Sequence, residues 1–262
     1  ELVSAIAMTE PGVGSDLQSV TTTALKDGNG YRINGAKTYI SNGQTADFII
    51  VVAKTDPNER AKGISLMLLE TEGAEGFQRG KKLDKIGLDA SDTSELFFDD
   101  VFVPAENVLG GEEGKGFYQL MGELPQERLI IAMGAMTGIE KALETTLDFV
   151  KNRKAFGQTI WDFQNTQFVM ADLKARATAA KIFVNDCIAK HLKRELDVPT
   201  ACMAKYWVTE LQGEVVDKCL QFHGGAGFIN DYPIARMYRD SRITRIFGGS
   251  NEVMKMVIAR SM

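Results

Sequence analysis

Residues 105–114 (AENVLGGEEG) separate two halves of the sequence that have different hydrophobic periods. Before this segment, short stretches alternate apolar and polar residues and end in Gly, Asn or Asp, which is typical of β-strands joined by tight turns. After it, apolar residues recur at every third or fourth position, as they do in amphipathic helices. The sequence therefore predicts a β-domain over residues 1–108 and a helical domain over residues 109–262.

The first half contains several candidate strands. Residues 19–25 are rich in Thr and Val, and the turn sequence DGNG follows at residues 27–30 before alternation resumes, which predicts a β-hairpin. Short apolar runs predict further strands at residues 48–54, 63–70 and 95–103. This succession of short strands and polar turns predicts an antiparallel β-barrel or sandwich.

The second half predicts long helices. The apolar residues that recur at helical spacing in the first of them are Leu129, Met133, Met136, Ile139, Leu143, Leu147 and Val150. Residues 168–192 and 200–222 are also long, free of Pro and apolar on more than one face, which is typical of helices buried in bundles or at subunit contacts. The fold class predicted is α+β, an antiparallel β-barrel or sandwich followed by an antiparallel four-helix bundle.

Composition excludes several classes of function. The chain has 262 residues with 44% hydrophobic and 25% charged residues, and its net charge of −5 argues against a nucleic-acid partner. Three cysteines without CxxC spacing argue against a disulfide framework and favour a reducing, intracellular compartment. Two histidines outside any HExxH pattern give no support to a metal site, and no GxSxG is present. No apolar run approaches the roughly 20 residues of a transmembrane segment.

Two segments of the first half have the composition of ligand-binding loops. Residues 8–16 (MTEPGVGSD) combine two glycines with the hydroxyl groups of Thr9 and Ser15, and residues 39–43 (YISNG) end a candidate strand. Taken alone, the first is better explained as a tight turn and the second as a strand end with an Asn-Gly turn. The first segment also lacks the GxGxxG pattern of dinucleotide-binding folds.

Three segments of the second half flank predicted helix ends. Residues 153–157 (RKAFG), with Gln164 after them, are explained on their own as a helix C-cap with Gly at its end. Residues 221–228 (QFHGGAGF) are expected to terminate a helix, and residues 247–252 (FGGSNE) to open another, with Ser250 as its N-cap. Glycines at helix ends can bind phosphate, but they are also common at ordinary helix boundaries.

Together and in this order, these segments resemble the acyl-CoA dehydrogenase family. Residues 123–129 (ELPQERL) and 202–207 (CMAKYW) are most similar to its long-chain branch. The family has an N-terminal helical domain, a middle β-domain and a C-terminal helical bundle, and the chain matches the last two. The resemblance therefore implies that the N-terminal domain is absent and that Glu1 and Met262 are internal residues of a longer parent protein.

The resemblance implies a reaction in which a carboxylate takes the α-proton of an acyl-CoA thioester and FAD takes the β-hydrogen as hydride. Most family members carry this base as Glu in a Tyr-Glu-Gly-Thr pattern, whereas this sequence has Phe-Gly-Gly-Ser at residues 247–250. The long-chain and isovaleryl branches supply Glu from the first bundle helix, a position that aligns with Glu127. Gly248 would leave room for that carboxylate, and its backbone is expected to donate to the thioester oxygen.

Two alternatives for Glu127 stay open at this point. It is also explained as a solvated carboxylate in the first turn of a helix that begins after Pro125, where the helix dipole favours negative charge. Glu123 is the neighbouring rival for the base, although its position before Pro125 indicates a helix entrance.

The resemblance also assigns cofactor and substrate residues. The residues expected at the flavin ring of FAD are Met8, Thr9, Gly14, Ser15, Tyr39 and Ser41. The residues expected to reach the adenosine diphosphate half from a neighbouring subunit are Arg153, Phe156, Gln164, Gln221, Gly224 and Gly225, while Ser250 and Glu252 are expected to face the same cofactor. The candidates for binding acyl-CoA are Ser15, Tyr118, Arg128 and Gly249.

The function implied is therefore that of an FAD-dependent acyl-CoA dehydrogenase of medium or long chains that passes electrons to an electron-transfer flavoprotein. A homodimer or homotetramer is expected, in the cytoplasm or, in a eukaryote, the mitochondrial matrix. Alternatives are an acyl-CoA oxidase or nitroalkane oxidase of the same fold, the latter disfavoured by Glu127, and a non-catalytic module that binds flavin or acyl-CoA.

Overall fold

The structure is a computed structural model that describes residues 2–262, so Glu1 and the expectation about it lie outside the described residues. The chain divides into two compact units, Glu1–Gly122 and Glu123–Met262, which we call the β unit and the helical unit. Within the described residues, no helix is both long and apolar enough to cross a membrane.

Among its described residues, the β unit contains seven strands in one sheet. They are β1 (Ser4–Ala7), β2 (Thr23–Asp27), β3 (Gly30–Ser41), β4 (Phe48–Lys54), β5 (Ile64–Glu70), β6 (Phe77–Lys82) and β7 (Thr93–Pro104). The sheet has the order β1-β4-β2-β3-β7-β6, and β5 pairs with β4. Its buried face carries the apolar side chains of the core, including Ile33, Ile49, Met67 and Leu96.

The strands predicted at residues 48–54, 63–70 and 95–103 are confirmed, and the hairpin of β2 and β3 is closed where Asp27 pairs with Gly30. The strand predicted from residue 19 begins only at Thr23, because Leu17–Ser19 form a 3-10 helix. The sheet is mixed rather than wholly antiparallel, because β1 and β2 both pair in parallel with β4. Local turn signals predict only pairs of strands that follow each other in the sequence. The pairing of Ser4 with Phe48 joins distant segments, and no turn sequence specifies it.

Among the described residues, the helical unit has three long helices and two short ones, which confirms a helical second half. They are α1 (Gly116–Asn152), α2 (Gln164–Leu192), α3 (Val198–His223), α4 (Pro233–Ser241) and α5 (Asn251–Arg260), and the division between the two units falls within α1. A short hairpin of β8 (Lys154–Ala155) and β9 (Gln158–Thr159) connects α1 to α2. Cys187, Cys202 and Cys219 are buried thiols of this unit.

Helix α1 begins earlier than the sequence indicates, since Pro125 lies inside it rather than at its start. Proline removes one backbone donor and strains the preceding turn, so the first two turns need another source of stability. They obtain it from packing, because Phe117, Leu120 and Met121 belong to an apolar cluster of the β unit with Val20.

Candidate functional site

Residues 8–16 of the β unit form a tight turn beside the end of β3. Backbone hydrogen bonds of 2.9 and 3.1 Å join Glu10 to Val13 and close the turn. The amide of Thr38 donates to the carbonyl of Thr9 over 2.8 Å, which holds this segment next to β3 just before Tyr39. The structure therefore brings together Met8, Thr9 and Tyr39, three of the residues expected at the flavin ring.

A buried ion pair lies beneath this segment. Lys37 of β3 is fully buried, and its Nζ donates to the carbonyl of Met8 and to Oε1 of Glu10, each over 2.9 Å. Glu10 also accepts from the amides of Thr21 (2.7 Å) and Thr22 (2.9 Å). Burial alone would raise the pKa of Glu10, but Lys37 and these hydrogen bonds outweigh it and lower the pKa to about 2. Both groups are therefore charged at neutral pH, and they fix residues 8–10 to the sheet.

The end of β3 has an unusual backbone. Tyr39 and Asn42 have φ angles of 59° and 61°, in the left-handed region that non-glycine residues seldom occupy. The pairing of β3 with β7 also shifts register between Lys37 and Ile40. Tyr39 is 68% exposed, and Ser15 and Ser41 are exposed as well. A left-handed Asn is common in turns, but a left-handed backbone at a bulky residue such as Tyr39 is rare and clusters at binding and active sites. This strand end is therefore a candidate binding surface.

Tyr118 lies on the first turns of α1, in the part that belongs to the β unit. Its exposed ring stands perpendicular to that of Phe117, with the ring centroids 5.8 Å apart. Phe117 packs in the same apolar cluster as Met8 and Val13. Phe117, the residue before Tyr118, thus shares an apolar cluster with the segment that carries Ser15, the other candidate for binding substrate in this unit.

Within the helical unit, Glu127 and Gly248 approach the same face of α1. Residues four apart on a helix share a face, so Glu127 lies one turn before Ile131. A Cβ atom on Gly248 would overlap Cδ1 of Ile131, so the turn at Gly248 rests directly against this face. The two residues expected to be catalytic are therefore neighbours through Ile131.

The position of Glu127 differs from the alternative of a solvated carboxylate at a helix start. Because α1 begins at Gly116, Glu127 lies in the helix interior and Glu123 is not at the entrance, so both of those expectations are wrong. Glu127 is half-buried, and burial raises its pKa; Glu123 adds to the rise and Arg128 opposes it. A carboxyl group whose charged form is destabilised in this way is a better proton acceptor than an ordinary glutamate.

The turn opposite Glu127 is fixed by two glycines and a helix cap. Gly248 and Gly249 have φ angles of 63° and 88°, which favour glycine. Ser250 caps α5 as predicted, since its side chain accepts from the amide of Val253 over 3.4 Å. Arg128 is buried beside this turn, and its guanidinium donates to Sγ of Cys202 over 3.2 Å.

An apolar cleft opens next to the same turn. It has a volume of about 680 Å³, and the residues that line it include Ile130, Ile131, Gly134, Met237 and Phe247. Ile131 and Phe247 also border the turn at Gly248. Clefts of this size with mostly apolar walls are typical small-molecule sites.

A second group of predicted residues gathers at the other end of the helical unit. The rings of Phe149 and His223 stack 4.2 Å apart, which places the carboxyl ends of α1 and α3 side by side. This end carries Arg153, Phe156, Gln164, Gln221, Gly224 and Gly225. The expectation of a helix C-cap at residues 153–157 is wrong, because they enter the β8–β9 hairpin, whose turn contains Phe156 and Gly157 at positive φ.

The two groups of the helical unit are far apart. Lys205, which contacts the turn at Gly249, lies 18 residues before His223 on α3, or about 27 Å along a helix with a rise of about 1.5 Å per residue. One adenosine diphosphate group cannot reach from Ser250 and Glu252 to Arg153 across this distance. Within one helical unit, the structure therefore does not bring all the predicted cofactor residues together.

The chain is similar to known proteins over nearly its whole length. The model of the acyl-CoA dehydrogenase middle domain matches residues 5–101, and that of the acyl-CoA dehydrogenase C-terminal domain matches residues 114–262. The long-chain specific acyl-CoA dehydrogenase of Sus scrofa mitochondria is 52% identical over 99% of this chain and 60% of its own length.

Two solved structures are also similar. An acyl-CoA dehydrogenase from Geobacillus kaustophilus has a TM-score of 0.97 at 48% identity, covering 99% of this chain and 68% of that one. Butyryl-CoA dehydrogenase from Megasphaera elsdenii has a TM-score of 0.94 at 39% identity, with the same coverage.

The mixed sheet and the helical unit thus define an acyl-CoA dehydrogenase-like fold. The chain belongs to the acyl-CoA dehydrogenase family, and the resemblance to its long-chain branch is confirmed. The chain spans about 60% of the length of the long-chain relative that it matches.

Proposed function

We propose that this protein acts in the FAD-dependent α,β-dehydrogenation of medium- or long-chain acyl-CoA thioesters, with Glu127 as the base. The observation that carries the proposal is the half-buried carboxyl group of Glu127 on the face of α1 that contacts the Gly248 turn. A base of raised pKa beside a turn with a backbone N–H donor is the arrangement that removal of a carbon-bound proton requires.

The proton chemistry follows from this arrangement. Glu127 would accept the α-proton, a carbon–carbon double bond would form between Cα and Cβ, and the β-hydrogen would leave with its electron pair. A backbone N–H at Gly248 would donate to the thioester oxygen, which stabilises the negative charge that develops as the α-proton leaves. The raised pKa of Glu127 reduces the difference between the pKa of this carboxyl group and the pKa of the substrate α-proton.

The donor groups of both units suit FAD, which would supply the hydride acceptor when bound. In the β unit, the exposed hydroxyls of Ser15 and Ser41, with Met8, Thr9, Gly14 and Tyr39, would bind the polar edge and face of the flavin ring. In the helical unit, no atom beyond the adjacent residues lies within 4 Å of where a Cβ of Gly224 or Gly225 would be, so a phosphate can approach their backbone.

The remaining cofactor residues support an oligomer. Arg153, Phe156, Gln164 and Gln221, with the two glycines, would bind the adenosine diphosphate half of a cofactor held by a neighbouring copy. Ser250 and Glu252 would face the cofactor of their own chain. This division accounts for the separation of about 27 Å along α3, estimated from the helical rise, and a homodimer or homotetramer follows.

The substrate would use the apolar cleft of the helical unit. Its walls of Ile130, Ile131, Met237 and Phe247 suit an acyl chain, and the cleft reaches the turn at Gly248. Ser15, Tyr118, Arg128 and Gly249 complete the proposed substrate residues. Electrons would pass to an electron-transfer flavoprotein, and a cytoplasmic or mitochondrial-matrix location belongs to the same proposal.

Product analysis tests this function. We expect mass spectrometry to show that the purified protein, supplied with FAD, an artificial electron acceptor and a saturated acyl-CoA, forms a product lighter by two hydrogens. Hydrogen peroxide formed in air in place of reduced acceptor would support the oxidase alternative. Bound FAD with no change in the thioester would contradict the proposed function.

Arg153→Ala is expected to weaken FAD binding by about 10–100-fold, the loss typical of a charge-assisted hydrogen bond. The side chain is exposed at the end of α1, so its removal should leave the helical unit folded. Isothermal titration with FAD measures the change, and Lys174→Ala, an exposed lysine in the middle of α2, is the charge-matched control. An unchanged FAD affinity in Arg153→Ala would reject the cross-subunit role.

A further inference from the structure

Lys205 of α3 is a fully buried cation beside the turn formed by Gly248 and Gly249, which we call the glycine turn. Its Nζ donates to the carbonyl oxygen of Gly249 over 2.8 Å and to Oδ1 of Asn251 over 2.9 Å. The side chain therefore connects the middle helix of the bundle to the turn at Gly248 and Gly249 and to the first residue of α5.

The surroundings of Lys205 make a charged residue costly there. Arg128 is a second buried cation nearby, and both hydrogen-bond partners of Lys205 within the described chain are neutral oxygen atoms. Burial, with Arg128 acting in the same direction, lowers the pKa of Lys205 to about 8, although Glu252 and Glu210 oppose the change. Stability alone would favour an apolar residue at such a position, so the ammonium group is better explained by what it holds in place.

The glycine turn depends on contacts made through its backbone. Gly248 and Gly249 have no side chains with which to pack, and the missing Cβ gives their backbone wide conformational freedom, including the positive φ observed here. Asn251 is buried as well, and its Nδ2 donates to Oε1 of Glu210 over 2.8 Å. The turn is thus tied to α3 at two points, the carbonyl of Gly249 and the side chain of Asn251.

We propose that Lys205 is a positioning residue: its buried ammonium group holds the turn of Gly248 and Gly249 against the face of α1 that carries Glu127. This inference rests on the proposed function, since the turn matters because its backbone N–H would donate to the thioester oxygen. Lys205 itself would contact neither substrate nor flavin. It would set the direction of the backbone donor at Gly248 through the carbonyl of Gly249.

Hydrogen exchange tests the positioning role without any reaction. Lys205→Met keeps the length and apolar stem of the side chain but removes its donors. Amide exchange in residues 246–254, followed by mass spectrometry, is expected to accelerate by about ten-fold or more, because a buried charged hydrogen bond is lost. Lys218→Met, on the same helix, is the matched control, and its exchange in this segment is expected to match the unchanged protein.

Two outcomes would overturn the inference. One is unchanged exchange in residues 246–254 of Lys205→Met, and the other is equal acceleration across both units, which would show a general loss of stability. If Lys205→Met does not fold, Asn251→Ser serves in its place, because it leaves the lysine and removes one of its two acceptors. A smaller acceleration confined to the same segment is then expected, and unchanged exchange would again contradict the role.

Kinetics separates this inference from the proposed function. In the FAD-loaded protein, Lys205→Met is expected to lower kcat by about ten-fold or more, with KM for acyl-CoA and FAD affinity within about two-fold of the unchanged protein. Lys205→Arg, which retains a donor, should recover part of the loss. If the unchanged protein does not dehydrogenate acyl-CoA, the proposed function is wrong. The hydrogen-exchange result still shows whether Lys205 holds the turn in place. A fall in FAD affinity with kcat unchanged would reject the positioning of the donor.

Discussion

Glu127→Gln is expected to lower the rate of flavin reduction by acyl-CoA by about 10²–10⁴-fold, the range that a positioned general base contributes. Glutamine has nearly the same size and fits the half-buried site, but its amide cannot accept the α-proton. FAD binding should persist, because the residues proposed to bind FAD do not include Glu127. Anaerobic stopped-flow spectroscopy measures the rate, and the absorbance of the purified protein measures the bound flavin.

Glu123→Gln is the control for this experiment. Glu123 is exposed one helical turn earlier and raises the pKa of Glu127. Its replacement should retain turnover. Activity should also begin to rise at a lower pH, because Glu127 loses its proton more easily once the negative charge of Glu123 is removed. Turnover retained in Glu127→Gln and lost in Glu123→Gln would assign the base to Glu123.

Lys37→Met is expected to destabilise the β unit by about 3–5 kcal/mol, which is the cost of leaving a buried charge without its partner. Lys37 is fully buried, and its removal would leave Glu10 inside the unit with only amide and hydroxyl donors from Thr21 and Thr22. Urea unfolding, followed through hydrogen exchange in β3, measures the loss. The same change should weaken flavin binding, since Lys37 also holds the carbonyl of Met8.

A double mutant separates the lost charge pair from lost packing. Glu10→Gln together with Lys37→Met removes both charges, and it should be less destabilised than Lys37→Met alone. Lys26→Met is the matched control, because Lys26 is exposed and lies 3.6 Å from Glu113. A loss of less than 1 kcal/mol in Lys37→Met would show that the buried pair does not hold residues 8–10.

Local patterns were sufficient to predict most of the fold. The turn at residues 27–30 specified the hairpin of β2 and β3, and the apolar run at residues 48–54 matched β4. β6 was missed because its sequence, FQRGKK, is mostly polar, as edge strands often are. The start of α1 was placed too late because Pro125 is an ordinary helix-start signal, and packing of the preceding turns overrides it.

The site was only partly accessible from sequence. The family motifs indicated Glu127 and the glycine turn, but they gave no reason to single out Lys37 or Lys205. Lys37 lies among the buried residues of a strand, and Lys205 lies between apolar residues of a helix. A lysine at a position where the pattern predicts burial was therefore the signal that could have indicated each of them. Their partners could not be predicted, since the carbonyls of Met8 and Gly249 meet them only after folding.

Anaerobic titration of the FAD-loaded protein with saturated acyl-CoA of increasing chain length is the decisive measurement for dehydrogenation with Glu127 as the base. We expect the oxidised-flavin absorbance to bleach with medium or long chains, and Glu127→Gln to retain its flavin without bleaching. Bound flavin that stays oxidised at every chain length in the unchanged protein would contradict the proposed function.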